Sequence, residues 1–333
     1  MSAIVRPRVA VSRATLPGTG LARLASHFEL ALWESDAPPS PARLAALVRG
    51  CDAALVLGTD RVDPALLDAG ERLLVVALAS MGYDAVDVAA ATTRGVVVTH
   101  TPNVLAETTA DLAFALLQMA RRRLVPAIDA VRRGDWTTFR MDGFLGLDVH
   151  GATLGLIGFG QIGRALARRA AGFGMRIQHH DPYHPADSGG SRAAGLGDLL
   201  RTSDVISVHV PLTPDTRNLI GAAELAAMKP TATLVNTSRG GIVHEAALLD
   251  ALRTGRLHSA GLDVMVDEPR SDPADPLLHE PNLVVLPHVG SATEATRAAM
   301  VDLAAANIIA VLGGEAAPTP LPGTAATPGP RHA

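Results

Sequence analysis

Hydrophobic residues along this chain gather into short runs separated by polar, turn-forming or helical stretches. In the N-terminal third, "RPRVAVSR", "ALVLGT", "LLVVALAS" and "GVVVTH" read as short apolar strands, and "SPARLAALVRG" between them has helical character. That alternation predicts a parallel α/β domain. The stretch "ETTADLAFALLQMARRRLVPAIDAVRRG" has the length and period of one long helix or a pair, able to bridge two domains. Glu107 and Asp111 place acidic charge at its start, as a helix N-terminus prefers. Further on, "DVISVHVPL", "TLVNTS", "SAGLDVM" and "NLVVLPHVG" alternate with helical segments at 222–228 and 244–254, which predicts a second doubly wound sheet. An amphipathic helix over 293–312 closes the pattern.

Between the two series lies "TLGLIGFGQIGRALARRAAGFGMRIQHHDP", from Thr153 to Pro182. Thr153 to Ile157 reads as a buried strand, and Gly158, Gly160 and Gly163 then fall in Gly-x-Gly-x-x-Gly spacing, with Gln161 and Ile162 inside it, before a helical run. The first glycine permits a tight turn, the second lets backbone approach a pyrophosphate, and the third allows close helix–sheet packing. The helix N-terminus then faces the anion. Asp181 ends the next strand, 175–180, at the distance where an acid accepts the adenosine ribose hydroxyls. Its charge opposes a 2′-phosphate, so NAD is expected rather than NADP. The neighbouring His179, His180 and His184 invite a metal reading, which is set aside because a strand end does not converge these side chains on one centre.

Composition narrows the function classes. A chain of 333 residues predicts about two domains. A net charge of −4 supplies no basic face, so nucleic acid is not an expected partner. The single cysteine, Cys51, excludes an internal disulfide framework and is expected in the core. No leader pattern or long uninterrupted apolar run is evident, so a cytoplasmic protein without a membrane partner is expected. Residues 313–333, rich in Gly, Pro, Ala and Thr, read as a loose tail.

Three residues at the ends of the late strands carry candidate chemistry: Arg239 in "VNTSRGG", Glu268 in "LDVMVDEP" and His288 in "LPHVG". Ligands bind at the carboxyl ends of strands in such sheets. A histidine supplies a proton near neutral pH, a carboxylate orients it, and an arginine fork clamps a carboxylate at two points. These are the parts for reducing a 2-oxo acid. Each residue alone also fits a bland role: a core histidine, a loop charge, a turn residue before Pro269.

Taken together, "LASMGYDAVDVAAATTRGVVVTHTPNVLAETTADLAFALL", "GLIGFGQIGRALARRAAGFGM", "VNTSRGGIVHEAALLDALRTGRL", "GLDVMVDEP" and "LPHVGSATEATR" resemble the NAD-dependent D-2-hydroxyacid dehydrogenases over about residues 61–312. The resemblance implies two doubly wound α/β domains. One is a Rossmann NAD-binding domain over 103–289; it is inserted into a split flavodoxin-like substrate-binding domain, 1–102 and 290–333, with ligands between them. It implies Arg239, Glu268 and His288 as the catalytic set, and Asp263 near the nicotinamide carboxamide. Thr109, Pro211, Thr216, Thr237, Ser238, Gly290 and Ser291 would surround the cofactor. Backbone N–H groups at Ser80, Met81 and Gly82 would hold the substrate carboxylate. It also implies a homodimer formed through the region 110–146. No metal is required.

Within the family, "MDGFLGLDVHG" looks closest to glyoxylate and hydroxypyruvate reductases, with Met81, Phe144 and Leu145 forming a partly apolar wall. Glu268 argues against formate dehydrogenases and Met81 against phosphite dehydrogenases. A short phosphoglycerate or phosphite dehydrogenase-like enzyme and an NADH-sensing corepressor-like binding protein remain alternatives. Ala85, Met265 and His244 depart from the family pattern; the first two bear on substrate shape and the third on a helix cap.

Overall fold

Five short strands whose residues are almost all apolar build the first sheet: β1 (Arg8–Val11), β2 (Glu29–Leu32), β3 (Ala53–Val56), β4 (Val75–Leu78) and β5 (Val97–Thr99). They pair in parallel in the order β2-β1-β3-β4-β5, which is the flavodoxin-like order. The computed structural model describes residues 6–35, 37–184, 186–188 and 191–329. The chain divides into two units, Met1–Leu105 with Ala292–Ala333, and Ala106–Ser291. In the first unit, successive residues of a strand face opposite sides, so Val9, Leu55, Val75 and Ala77 enter one core and Ala10, Ala54, Val76 and Leu78 the other. Burial on both faces explains why these strands are continuous apolar runs.

The connecting helices are α1 (Gly20–His27), α2 (Pro41–Leu47), α3 (Pro64–Ala69) and α4 (Val88–Thr93). Ser40, Asp63 and Asp87 each accept an N–H from the first turn that follows, and Pro41 and Pro64 open their helices. Strand β2 is absent from the strands expected above: it is four residues long, lies at the sheet edge, and only Ala31 in it is buried.

The second unit carries β6 (Thr153–Ile157), β7 (Arg176–His180), β8 (Arg192–Ala193), β9 (Val205–Val208), β10 (Thr233–Asn236), β11 (Ser259–Leu262) and β12 (Leu283–Val285). All pair in parallel, in the order β12-β11-β10-β9-β6-β7-β8. From β6 outward this is the dinucleotide-binding order 3-2-1-4-5-6, extended by one strand. Its helices are α5 (Ala106–Arg121), α6 (Leu124–Arg133), α7 (Gln161–Ala171), α8 (Leu196–Thr202), α9 (Ala222–Ala227) and α10 (Glu245–Arg253). The long helical stretch is therefore a pair, parted at Arg123, whose φ of 52° leaves the helical region. Helix α5 packs close on β11 because Gly261 has no side chain: a Cβ there would lie 2.5 Å from Leu116.

Helix α11 (Glu294–Leu312) returns to the first unit, where Val301, Ala304, Ala305, Ile308 and Val311 enter the core against β3 and β4. It is apolar on most of its surface, with a mean hydropathy of 1.5, so the expected amphipathic contrast is weak. It is long and apolar enough, by length and composition, to cross a membrane; here its buried face is part of the core. The segment after it is not loose as far as residue 329. Leu321 donates its N–H to Val98 and is buried, Pro320 bridges to Thr99, and Ala317 N–H donates to Ala326 O. Two buried side chains and a short antiparallel bridge suffice to tie down a stretch whose composition predicts none of this; residues 330–333 of the expected tail lie outside the described residues.

Candidate active site

The turn after β6 has the geometry an anion cradle needs. Gly158 has φ 94°, and a Cβ there would meet His209 O at 2.6 Å. A Cβ on Gly163 would lie 2.4 Å from Gly158 O, so only glycine lets α7 start this close to the strand. At Gly160, by contrast, nothing lies within 4 Å of the Cβ position: that face is open, at the N-cap of α7. Gln161 and Ile162 begin the helix, Ile162 packing on the core. The helix has no acid in its first turn, so its dipole favours an anion at the open end.

Asp181 follows β7. Its Oδ2 accepts Phe159 N–H at 2.7 Å and its Oδ1 accepts Tyr183 N–H at 2.8 Å, while His184 Nδ1 lies 3.1 Å from Oδ2. Burial pushes its carboxyl up, but these donors hold it below the usual carboxylate value. The carboxylate thus stays ionised beside the glycine loop. His179 is occupied otherwise, with Ser191 Oγ at 2.7 Å and His184 O at 2.8 Å, and its ring stacks on Phe159. His180 Nδ1 contacts Ala194 O.

The remaining candidates line the carboxyl ends of the same sheet. After β9, Thr216 Oγ1 donates to Pro211 O at 2.6 Å, closing one turn. After β10, Asn236 is a template: its Oδ1 accepts Ser238 N–H and its Nδ2 donates to Arg239 O. Ser238 Oγ donates to Val208 O, and one Arg239 nitrogen donates to Ser238 O. Thr237 Oγ1 is buried without a hydrogen-bond partner among the described residues, an unmet group of the kind a bound ligand satisfies. After β11, Glu268 Oε1 accepts Met265 N–H at 2.6 Å, and Oε2 lies 2.6 Å from His288 Nδ1. Burial pushes the Glu268 carboxyl up; His288, Met265 N–H and the charge of Arg239 hold it below its usual value. A carboxylate in this position keeps a proton on Nδ1 and fixes the orientation of the ring.

His288 sits at φ 54°, uncommon for a residue with a Cβ. Asp263 holds it there: the peptide carbonyl of Asp263 accepts His288 N–H, and its two carboxylate oxygens accept Val289 and Gly290 N–H at 2.7 Å each. Burial pushes the Asp263 carboxyl up, against these two donors. Thr109, buried on α5, lies against Gly290, so these two candidates meet. Ser291 follows in the same loop, half-buried. In the first unit, Ser80, Met81 and Gly82 follow β4, and Ser80 Oγ donates to Gly82 O at 2.7 Å.

Of the three departures, His244 serves as the N-cap of α10, accepting Ala247 N–H at 3.2 Å. Met265 contributes a backbone N–H that any residue would supply, and its side chain packs at the core edge. Ala85 offers its carbonyl to Val62 N–H. Phe144 and Leu145 are exposed in the second unit. Sequence reasoning missed Asn236 and the loop-holding role of Asp263. The signal for the first was present: a lone amide ending an apolar strand directly before "TSRGG". It also missed His209, which is half-buried with Ser207 Oγ at 2.8 Å from Nε2; desolvation of the ring pushes it down to about 4.

The family model described as "D-isomer specific 2-hydroxyacid dehydrogenase, NAD binding domain" matches residues 114–290. A glyoxylate reductase of Korarchaeum cryptofilum is 47% identical over 318 residues, covering 94% of this chain and 95% of that protein. The crystal structure of a Thermus thermophilus protein matches with TM-score 0.88 and 43% identity, over 94% of this chain and 99% of the other. An NADPH-dependent glyoxylate/hydroxypyruvate reductase of Sinorhizobium meliloti, crystallised with NADP and malonate, matches with TM-score 0.85 and 37% identity, over 98% and 99%.

Proposed function

Since the chain belongs to the D-isomer specific 2-hydroxyacid dehydrogenases, we propose that it is a glyoxylate and hydroxypyruvate reductase that prefers NADH. Reduction of a 2-oxo acid to a D-2-hydroxy acid with NAD(P)H is the chemistry its relatives carry. The observation that carries the reading is the 2.6 Å contact between Glu268 and His288 in a sheet whose glycine turn leaves an open anion cradle.

When bound, the dihydronicotinamide supplies a hydride to C2 of the oxo acid. His288 then has the proton to match it: Nδ1–H is engaged by Glu268, so Nε2–H of the charged ring is the group that protonates the forming alkoxide. The ring is left neutral, and Glu268 keeps it oriented for reprotonation. Arg239 is assigned the substrate carboxylate and, by its charge, the polarisation of the carbonyl. The N–H groups of Ser80, Met81 and Gly82 are assigned to the same carboxylate. The first turn of α7 and Gly160 receive the pyrophosphate, and Asp181 the ribose hydroxyls, where its negative charge opposes a 2′-phosphate. Thr109, Pro211, Thr216, Thr237, Ser238, Asp263, Gly290 and Ser291 complete the cofactor-binding set.

The protein is further proposed to act in the cytoplasm as a homodimer. Ile128, Val131, Trp136, Phe139, Met141 and Leu145 lie exposed on and after α6, Phe139 at 76% and Met141 at 83%. So much apolar surface in one segment favours a partner of the same kind. Light scattering of wild type and Phe139→Asp would check this, a monomeric wild type refuting it.

The function is tested by NADH oxidation with glyoxylate, hydroxypyruvate and phenylpyruvate, and again with NADPH. Glyoxylate or hydroxypyruvate with NADH should give the highest kcat/KM. Higher values with phenylpyruvate would refute the substrate, and higher values with NADPH the assignment of Asp181.

A further inference from the structure

Two successive carbonyls in the turn that follows β4 are captured from one side. Thr101 N–H donates to Ser80 O at 2.8 Å, and His100 Nδ1 donates to Met81 O at 2.9 Å. Both donors directly follow β5. The peptides Ser80–Met81 and Met81–Gly82 are trans, and in a trans peptide the N–H points opposite to the C=O. Capturing the two carbonyls toward β5 therefore turns the N–H groups of Met81 and Gly82 the other way. Neither N–H donates to an acceptor among the described residues. Two adjacent, unclaimed N–H groups with a common direction form a receptor for a carboxylate.

We infer that His100 is a positioning residue for substrate binding: its Nδ1–H fixes the Met81 carbonyl and so aims the Gly82 N–H at the carboxylate of the 2-oxo acid. This rests on the reductase reading given above. His100 is suited to the task because it is itself immobilised. It is 8% exposed, and its ring meets Tyr83 edge-on. Its backbone N–H donates to Thr319 O, and its carbonyl accepts Thr319 Oγ1–H at 2.6 Å. Thr319 is gripped in turn by Asn307, fully buried on α11, which accepts Thr319 N–H and donates to its Oγ1. The segment after α11 thus forms the back wall of a substrate loop through the chain Asn307, Thr319, His100 and Met81. Because the acceptor on Met81 is a carbonyl, the role calls for a donor at Nδ1 and for no change of charge on the ring.

The test compares His100→Leu, which keeps bulk without a donor, with His100→Asn, whose amide N–H stands near the Nδ1 position. The readouts are glyoxylate KM and kcat, the Kd of oxamate in the presence of NADH, and NADH affinity. His100→Leu should raise the glyoxylate KM and the oxamate Kd about tenfold, the size of one lost hydrogen bond to a charged group. Its kcat should stay within about twofold and its NADH affinity unchanged, and His100→Asn should restore most of the KM. A packing role would instead make Asn the worse replacement, and that result overturns the inference, as does an unchanged KM in folded His100→Leu. Should that variant fail to fold, Thr319→Val carries the test and must raise KM at least about twofold with kcat kept; an unchanged KM overturns the inference. A wild type that neither turns over 2-oxo acids nor binds oxamate overturns the reductase reading and this inference together. Normal turnover with an unmoved KM in the variants overturns this inference alone.

Discussion

Glu268→Gln keeps the shape of the side chain beside His288 and can still accept Met265 N–H, but it removes the negative charge 2.6 Å from Nδ1. Reduction takes a proton from Nε2 and oxidation returns one, so both depend on the ring being held through Nδ1. A hydrogen bond between charged partners contributes roughly 1.5–3 kcal/mol, and about 1.4 kcal/mol is a factor of ten in rate. The imidazole is 40% exposed, so solvent screening favours the lower end, about tenfold. In Glu268→Gln kcat/KM for reduction should therefore fall about tenfold, with NADH affinity unchanged. The stability consequence has its own sign. Despite burial, which pushes it up, the Glu268 carboxyl is held below its usual value. Its contribution is then present above the unfolded carboxyl's value and is lost as pH falls through the folded one. Wild type should lose melting temperature across that acidic window more steeply than the variant. The assay is kcat/KM in both directions, with NADH fluorescence as a control for folding and a deuteride isotope effect to establish that chemistry limits the rate. If chemistry limits and kcat/KM is unchanged in both directions, Glu268 does not act on His288 and the acid–base assignment fails.

Two further outcomes follow from the same region of the fold. Gly160→Ala should leave the melting temperature nearly unchanged, because its Cβ meets nothing within 4 Å, yet weaken NADH binding about tenfold or more by occupying the space a pyrophosphate needs; an unchanged NADH Kd by fluorescence titration would remove this turn from the cofactor site. Desolvation pushes His209 down to about 4, so between about pH 6.5 and 4 the unfolded chain takes up a proton that the folded chain does not. Stability should fall with pH across that window by up to about 3 kcal/mol, and His209→Asn, melted in parallel, should lack this part of the decline; parallel melting curves would refute it.

The legibility of the fold tracks burial. Strands covered on both faces, such as β3, β4 and β9, are continuous apolar runs and stand out in the sequence. The strands β2 and β8 do not: β8 is only Arg192–Ala193, and in β2 only Ala31 is buried, whereas the edge strands β5 and β12 are buried apolar runs and could be read. The segment 313–329 reads as loose for a related reason. Its anchors are few, Ala317, Thr319 and Leu321, and their partners on β5 and α11 are remote in sequence or carry no compositional mark. In the site, the glycine spacing and the acid after β7 could be read because each answers to a local backbone demand. Arg239, Glu268 and His288 could be suspected from strand ends. That Glu268 and His288 touch is a fact of sheet order, 20 residues apart in the chain.

What the sequence hides most completely is the layer that holds the reactive groups. Asn236 fixes the turn that carries Arg239, Asp263 fixes the left-handed turn that carries His288, and Thr101 and His100 fix the turn at Met81. The same device recurs in each: the loop's backbone polar groups are satisfied inward by a residue on, or just past the end of, a strand, so the groups left over point outward in one direction. Such preorganisation is useful because donors already aimed at a developing charge need no rearrangement when the reaction occurs. It also has a cost that can be located. Asp263 is buried enough for its carboxyl to be pushed up, so its charge is retained against desolvation, and the two N–H groups it accepts make that bearable. Replacing Asp263 by Asn would relieve the desolvation but present an amide N–H to one of those donors, so the His288 turn, and with it the proton donor, would be lost before the cofactor was.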